Sequence, residues 1–234
     1  GPFAAVLARP DVLHALRLTA LLVLIAVAVN AVLGTAVAYV LTRDRFRGRR
    51  LLDGLVDVPF ALSPVVVGLV LLELFGRQGL LTPLTRALGV QVAFAWPGMA
   101  LATTFVTLPF VVREVAPVLD EIGTEQEAAA YTLGASPLTA FLRVTLPSIR
   151  WGLAYGVTLT AARAIGELGA VLIISGGIAG RTETATSFVY RALEDRDELS
   201  AYAVAVVLAA ASLALLVAME ALKRRRSGAR EAEG

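Results

Sequence analysis

The stretch Leu18–Leu41, LTALLVLIAVAVNAVLGTAVAYVL, runs for 24 residues without a charge, and Thr42–Gly54 follows it with Arg43, Arg45, Arg47, Arg49 and Arg50. A bilayer core takes about 20 apolar residues in helical form. The first segment therefore reads as a membrane span and the second as the charged edge that ends it. Outward from there, Val92–Val112 and Leu199–Met219 are equally free of charge. Leu55–Leu72 spans if Asp57 sits near one surface, and Trp151–Ser175 is apolar apart from Arg163 and Glu167. The reading is an all-α polytopic bundle of five spans, a single membrane domain over residues 1–234.

Composition agrees. The chain has 234 residues, 57% hydrophobic and 17% charged, with a mean hydropathy of +0.75. Soluble domains sit near 45–50% apolar and about 25% charged, so a soluble enzyme is a poor fit. Zero Cys and one His (His14) leave no disulfide framework, thiolate zinc site or Cys nucleophile, and almost nothing for a His-based metal or acid–base site.

Basic residues orient the spans. The connection Thr42–Gly54, the connection Arg113–Arg150 and the tail from Glu220 fall on one side if the spans alternate. They hold 13 Lys/Arg, against 7 on the other side, with Arg163 inside a span. That bias puts the C-terminus in the cytoplasm and the N-terminus outside. An external N-terminus with no signal sequence is awkward to insert, so one further helix is expected before Gly1. The tail Lys223–Arg226 reads as a stop-transfer anchor on anionic lipid, not as a nucleic-acid site.

The loop Arg113–Arg150 carries helix punctuation. Thr124-Glu125-Gln126-Glu127 fits a capping box, Thr124 capping the Glu127 N–H and Glu127 reaching back. Gly134 supplies a left-handed end. Ser136-Pro137 restarts the chain as N-cap and first helical residue, and Leu146-Pro147 is expected to stop that second helix before the next span. Ala128, Ala129 and Ala130 leave a low-relief face that another protein can approach. The same loop also reads as a solvated connector whose Glu is only a cap.

Glu127-Ala128-Ala129, four residues, Gly134, eleven residues, then Leu146-Pro147 resembles the EAA loop of importer-type ABC transporter permeases. Phe46-Arg47-Gly48-Arg49-Arg50, Leu62-Ser63-Pro64-Val65-Val66, Phe75-Gly76-Arg77-Gln78-Gly79, Arg163-Ala164-Ile165-Gly166-Glu167 and Gly180-Arg181-Thr182-Glu183-Thr184 look like CysW-type sulfate/thiosulfate permeases, with molybdate and tungstate permeases as near relatives. The resemblance implies a permease subunit that pairs with a homologous permease, two ATP-binding subunits carrying ATP and Mg, and an external substrate-binding protein in a prokaryotic inner membrane. It assigns the ATPase contact to Glu127, Ala128, Ala129, Leu133, Gly134, Leu146 and Pro147. It implies no catalytic residue and no metal in this chain.

The energetics ask for such a partner. Moving a divalent anion inward against 100 mV costs about 4.6 kcal/mol, and each tenfold of concentration adds about 1.4 kcal/mol. The sequence holds no G-x-x-x-x-G-K-[ST] to cradle nucleotide phosphates. A proton-coupled secondary carrier would be expected to show internal repeats, which are not seen. An intramembrane hydrolase would need a nucleophile–base set or a metal motif, and one His with no Cys leaves little from which to build one.

For the pathway, Arg163 and Glu167 lie four apart on one helix face. They are either a self-neutralising pair that fixes packing or a source of positive potential with Glu167 in the gate. Pro59, Ser63 and Pro64 interrupt the second span, as a simple kink or as a broken helix lining a cavity with Ser63 near the substrate. Thr103, Thr104 and Thr107 either add hydroxyl donors or bond their own helix. Gly152, Gly156, Gly166 and Gly169 suit close helix packing. The outer loop Gly176–Glu198 reads as a solvated charged loop, or as part of a docking surface for the external protein.

Overall fold

The computed structural model describes residues 1–232, with side chains described as far as Ala221. The basic tail at Lys223–Arg226 and Arg230 lies outside the described side chains. Among the described residues twelve α-helices run in the order α1 Pro2–Leu7, α2 Pro10–Arg43, α3 Arg49–Ala61, α4 Pro64–Phe75, α5 Thr82–Ala87, α6 Trp96–Ile122, α7 Glu125–Thr132, α8 Pro137–Ala140, α9 Leu146–Ile165, α10 Gly169–Ser175, α11 Ala185–Glu194 and α12 Glu198–Ala232. A π-helical turn, Phe141–Thr145, joins α8 to α9. There is no strand among the described residues.

Helices α2, α6 and α12 are long and apolar enough to cross a membrane, and the number rises to five if each of two bent pairs makes one span. The second expected span is not one rod. Helices α3 and α4 meet at 112°. A residue before proline is pushed out of the helical region, and Ser63 accordingly lies at φ −61°, ψ 137°, with Leu62 also extended. The fourth expected span is likewise divided: the helix ending at Ile165 and α10 are bent by 58° across Gly166, Glu167 and Leu168. Helix α6 outruns its apolar stretch and continues to Ile122.

Helix α6 is the hub of the bundle, packed chiefly on α2 and α9. Of its most apolar window 56% is buried, against 28% for α2 and 11% for α12. Small residues bring the backbones together. A Cβ on Gly34 would lie 2.7 Å from Val111 Cβ, and one on Gly156 would lie 2.7 Å from Val111 Cα. Three apolar clusters follow. Leu18, Leu22, Val67, Leu71, Met99 and Ile174 join α2, α4, α6 and α10. Val12, Ala15, Phe188 and Val204 join α2, α11 and α12. Ala38, Leu41, Val56, Val112, Leu119 and Ile149 join α2, α3, α6 and α9.

Candidate functional site

Two places hold the residues singled out by sequence: the helical hairpin between α6 and α9, and the meeting of the two helix breaks.

In the hairpin, Gly123 (φ +63°) turns the chain from α6 into α7, and Gly134 ends α7 at φ +83°, the left-handed conformation that its position requires. Ser136 caps α8, its Oγ accepting the Thr139 N–H at 3.2 Å. The capping box at the start of α7 does not form. Thr124 makes no side-chain cap bond, and Glu127 points inward instead. A buried guanidinium is a stronger attraction for its carboxylate than an N–H at an exposed helix end. Glu127 Oε1 accepts from Thr145 Oγ1 at 2.9 Å and from Arg43 Nε and Nη2 at 3.3 Å each. Its Oε2 accepts from the Tyr39 hydroxyl at 3.2 Å. Arg43 also donates from Nη1 to the Leu119 carbonyl (3.0 Å) and from Nη2 to the Gly123 carbonyl (2.6 Å). The Arg43 and Glu127 side chains are each 8% exposed, and the Tyr39 ring meets Phe141 edge-on at 5.7 Å.

Leu146-Pro147 does not stop the second helix. Leu146 keeps helical angles (φ −59°, ψ −45°), and α9 runs on to Ile165. An ordinary helix would press the Pro147 ring on the Arg143 carbonyl, but here the wider π turn contains Arg143 and relieves that contact.

The other side of α7 is open. Ala128, Ala129, Gly134 and Pro147 are exposed, and Leu133 is 88% exposed. Gln126, Ala129, Ala130, Leu133, Arg143 and Pro147 line a groove of about 490 Å³. Leu146 is half-buried. Of the residues assigned to the loop contact, all but Glu127 and Leu146 thus present themselves outward.

At the breaks, α4 and α10 lie against each other. A Cβ on Gly169 would come within 3.1 Å of Pro64 Cβ and 3.2 Å of the Val65 nitrogen. One on Gly68 would sit 2.8 Å from the Ala170 carbonyl oxygen. Pro64 and Glu167, which sequence placed in different spans, therefore flank one junction. Arg163 Nη1 pairs with Glu167 Oε2 at 2.7 Å. Glu167 lies beyond the end of α9, and its Oε1 also accepts the Ala170 N–H at 2.9 Å, holding the first turn of α10. Its carbonyl takes the Thr186 hydroxyl at 2.8 Å. Glu167 is buried, while the Arg163 side chain keeps 34% exposure. Ser63 is exposed and makes no side-chain cap bond. Thr103 and Thr107 bond their own helix, to the Met99 and Thr103 carbonyls. Gly152 and Gly156 do lie tight against α6, whereas a Cβ on Gly166 would have its nearest neighbour at 3.9 Å.

The outer loop is less solvated than its composition suggests. Thr182, Glu183 and Thr184 are buried, and Glu183 takes the Arg191 guanidinium at 2.6 and 3.1 Å. Arg191 is held above its usual basicity by that bond. Sequence reasoning also missed Tyr39, Arg43 and Thr145. Sequence alone reads Arg43 only as an orienting charge, although Tyr39 and Arg43 sit four apart, on one face of α2 beside the expected loop.

A polytopic helical bundle with two sharply bent helix pairs and a projecting hairpin defines a class, the ABC-importer permease fold. It is shared with a bacterial ABC transporter involved in the import of the acidic polysaccharide alginate (TM-score 0.72, 15% identity, covering 96% of this chain and 82% of that one). It is shared also with the inward-facing MetNI methionine ABC transporter (TM-score 0.64, 17% identity, 96% and 97%). Residues 30–228 match the family model described as binding-protein-dependent transport system inner membrane component, and the chain belongs to that family. It is 52% identical to "Sulfate permease 2, chloroplastic" of Chlamydomonas reinhardtii, over 92% of this chain and 58% of that protein. It is 49% identical to the sulfate transport system permease protein CysW of Synechococcus elongatus, over 92% and 75%, and 43% identical to CysT of Salmonella typhimurium, over 94% and 79%. The chain thus spans a little over half the length of the Chlamydomonas protein.

Proposed function

We propose that this chain is a permease subunit of an ATP-driven importer of sulfate or thiosulfate, forming half of the translocation pathway. The observation that carries the reading is the hairpin. Its Ala128–Ala129 face and the Leu133 side chain project from the bundle beside an open groove, while its far side is bonded to Tyr39 and Arg43 on α2 and to Thr145 in the π turn. Such a part is built to be pushed. The sulfate permeases among the relatives supply the cargo.

On this reading two ATP-binding subunits, carrying ATP and Mg, grip the groove lined by Ala129, Leu133 and Pro147 from the cytoplasm, where the C-terminus also lies. A homologous permease supplies the other half of the pathway, and an external binding protein delivers the anion. Closure of the ATPases swings α7 and opens the cavity outward, and hydrolysis resets it. Ser63, Pro64, Arg163 and Glu167 stand where the two broken helices meet. There the one-third-exposed Arg163 guanidinium offers positive potential to a desolvated anion, and Glu167 holds it in place.

The test is reconstitution of the permease pair, the ATPase and the binding protein in liposomes. Uptake of radiolabelled sulfate is expected only with ATP on the ATPase side and binding protein on the other. Uptake that proceeds without the ATPase, or that excess molybdate abolishes while excess thiosulfate does not, refutes the reading.

A further inference from the structure

We propose that the seam between α2 and α9, on the half of the bundle that carries the hairpin, binds one anionic phospholipid: an acyl chain lies between the two helices and Arg150 holds the phosphate. The proposal goes beyond the transport reading. It stands on the membrane-spanning fold, whatever the cargo.

Thr35, Ala36 and Tyr39 on α2, Phe141 in the π turn, and Leu146 and Leu153 on α9 line an apolar groove of about 490 Å³. The Tyr39 and Phe141 rings meet edge-on at 5.7 Å. On α2 the lining runs from Ala31 to Val40. Nine residue steps at 1.5 Å give about 14 Å, close to half of a hydrocarbon core of about 30 Å. The groove is thus one leaflet deep, the dimension of an acyl chain and only half that of a spanning helix. At such depth the bilayer offers no water to fill it, and hydrocarbon is the medium that can.

Charge decides which lipid. On α9, Leu146, Arg150 and Leu153 recur at i, i+4 and i+7, so Arg150 shares the face that lines the groove. Arg150 is exposed, and its guanidinium lies over the Trp151 ring, 5.5 Å from the centroid. Among the described residues no carboxylate forms an ion pair with it. An arginine at a membrane edge lays its stem along apolar surface and carries its charge to the headgroups, the level at which Trp also concentrates. The planar guanidinium matches a phosphate with two parallel bonds, and basic pockets between membrane helices hold anionic headgroups. A zwitterionic headgroup brings its own cation to the phosphate, whereas an anionic one leaves it to Arg150. On the same side Arg45, Arg47, Arg49 and Arg50 follow α2, which suits a negatively charged leaflet.

The experiment places the purified permease complex in phosphatidylcholine vesicles with a trace of phosphatidylglycerol carrying a photoactivatable diazirine on its acyl chain, and maps the labelled peptides after irradiation. Phosphatidylcholine with the same diazirine is the reference probe. Labelling of residues 31–40 and 141–153 is expected to be about fivefold stronger from the phosphatidylglycerol probe, the equivalent of roughly 1 kcal/mol for one basic residue at an anionic headgroup. Arg150→Gln should bring the two probes level, and Arg150→Lys should keep the preference. Ala36→Phe fills the groove and should remove most labelling of both segments, whereas Leu33→Phe, at an exposed α2 position outside the lining, should leave it unchanged. Equal labelling by the two probes in the wild type, or a preference that survives Arg150→Gln, overturns the proposal. So does protection of both segments from either probe, the outcome if the paired permease seats in the groove. Should a variant fail to assemble, excess unlabelled phosphatidylglycerol is expected to displace the probe from the wild-type complex where unlabelled phosphatidylcholine does not. Displacement by both alike overturns the site.

Discussion

Gly134, Gly156 and Gly166 show how one residue type answers to different constraints. Gly134 stands at φ +83° with open space around it, so only the backbone conformation resists a side chain. The left-handed region costs an L-residue about 1–2 kcal/mol, and Gly134→Ala should lose that much in chemical denaturation of the purified permease. Gly156 has ordinary angles but no room, its added Cβ lying 2.7 Å from Val111 Cα. Overpacking of this kind costs about 1–3 kcal/mol, so Gly156→Ala should lower the melting temperature clearly. Gly166 has neither difficulty, and Gly166→Ala should fall within about 0.5 kcal/mol of wild type. The sequence offered Gly156 and Gly166 as equals; only the approach of α6 separates them.

The Arg163–Glu167 pair argues at the same scale. Arg163→Gln leaves the buried Glu167 charge with only the Ala170 N–H, and breaking a buried pair costs about 3–5 kcal/mol at full burial. The figure here is smaller, because Arg163 is a third exposed. Arg163→Gln with Glu167→Gln removes both charges and keeps an acceptor for Ala170, so the double variant should recover most of the lost melting temperature. If the double variant melts no higher than the single one, the charge pair is not what Glu167 contributes.

Among the elements, proline decides differently in different places. At Pro64 the preceding Leu62 and Ser63 are extended and the chain swings through 112°. At Pro147 the preceding residue stays helical, because a π turn has already widened the backbone. Spacing alone marks both as interruptions, and the neighbouring turn determines which one breaks. Helix α3 is tied down by Arg113, whose guanidinium reaches Asp57 at 2.9 and 2.7 Å and Asp53 at 2.7 Å. These side chains are 36–52% exposed, and such pairs are worth about 0–1 kcal/mol each. Arg113→Gln should therefore change the melting temperature little, and less still at high salt.

At the scale of the molecule, α6 is the axis and α12 the periphery. Val112 on α6 is fully buried, while Leu213 on α12 is 62% exposed. Truncating Val112 to Ala opens a cavity in close-packed surroundings, and the destabilisation should be about 1–3 kcal/mol. Leu213→Ala removes a side chain that faces outward and should be neutral within about 0.5 kcal/mol. Melting both variants in the same detergent checks the contrast. The exposed apolar residues of α4, Val65, Val66, Leu69 and Val70, form an outward-facing apolar face.

Composition and short-range spacing mark where the apolar runs lie, which loop carries the alanine face and the turn glycines, and the break at Pro64 in the second span, whereas Pro59, which also reads as an interruption, sits inside the continuous helix α3. Each of these is local, set by composition or by spacing within a few residues. The tertiary structure alone decided that Glu127 turns inward to Arg43, that Pro64 rests on Gly169, and that one rod joins the hairpin to the Arg163–Glu167 pair. The reason is physical. Arg43 and Glu127 are 84 residues apart, and whether two charges so far apart meet in a buried pair depends on how α2, α6 and α9 pack. No local pattern encodes that.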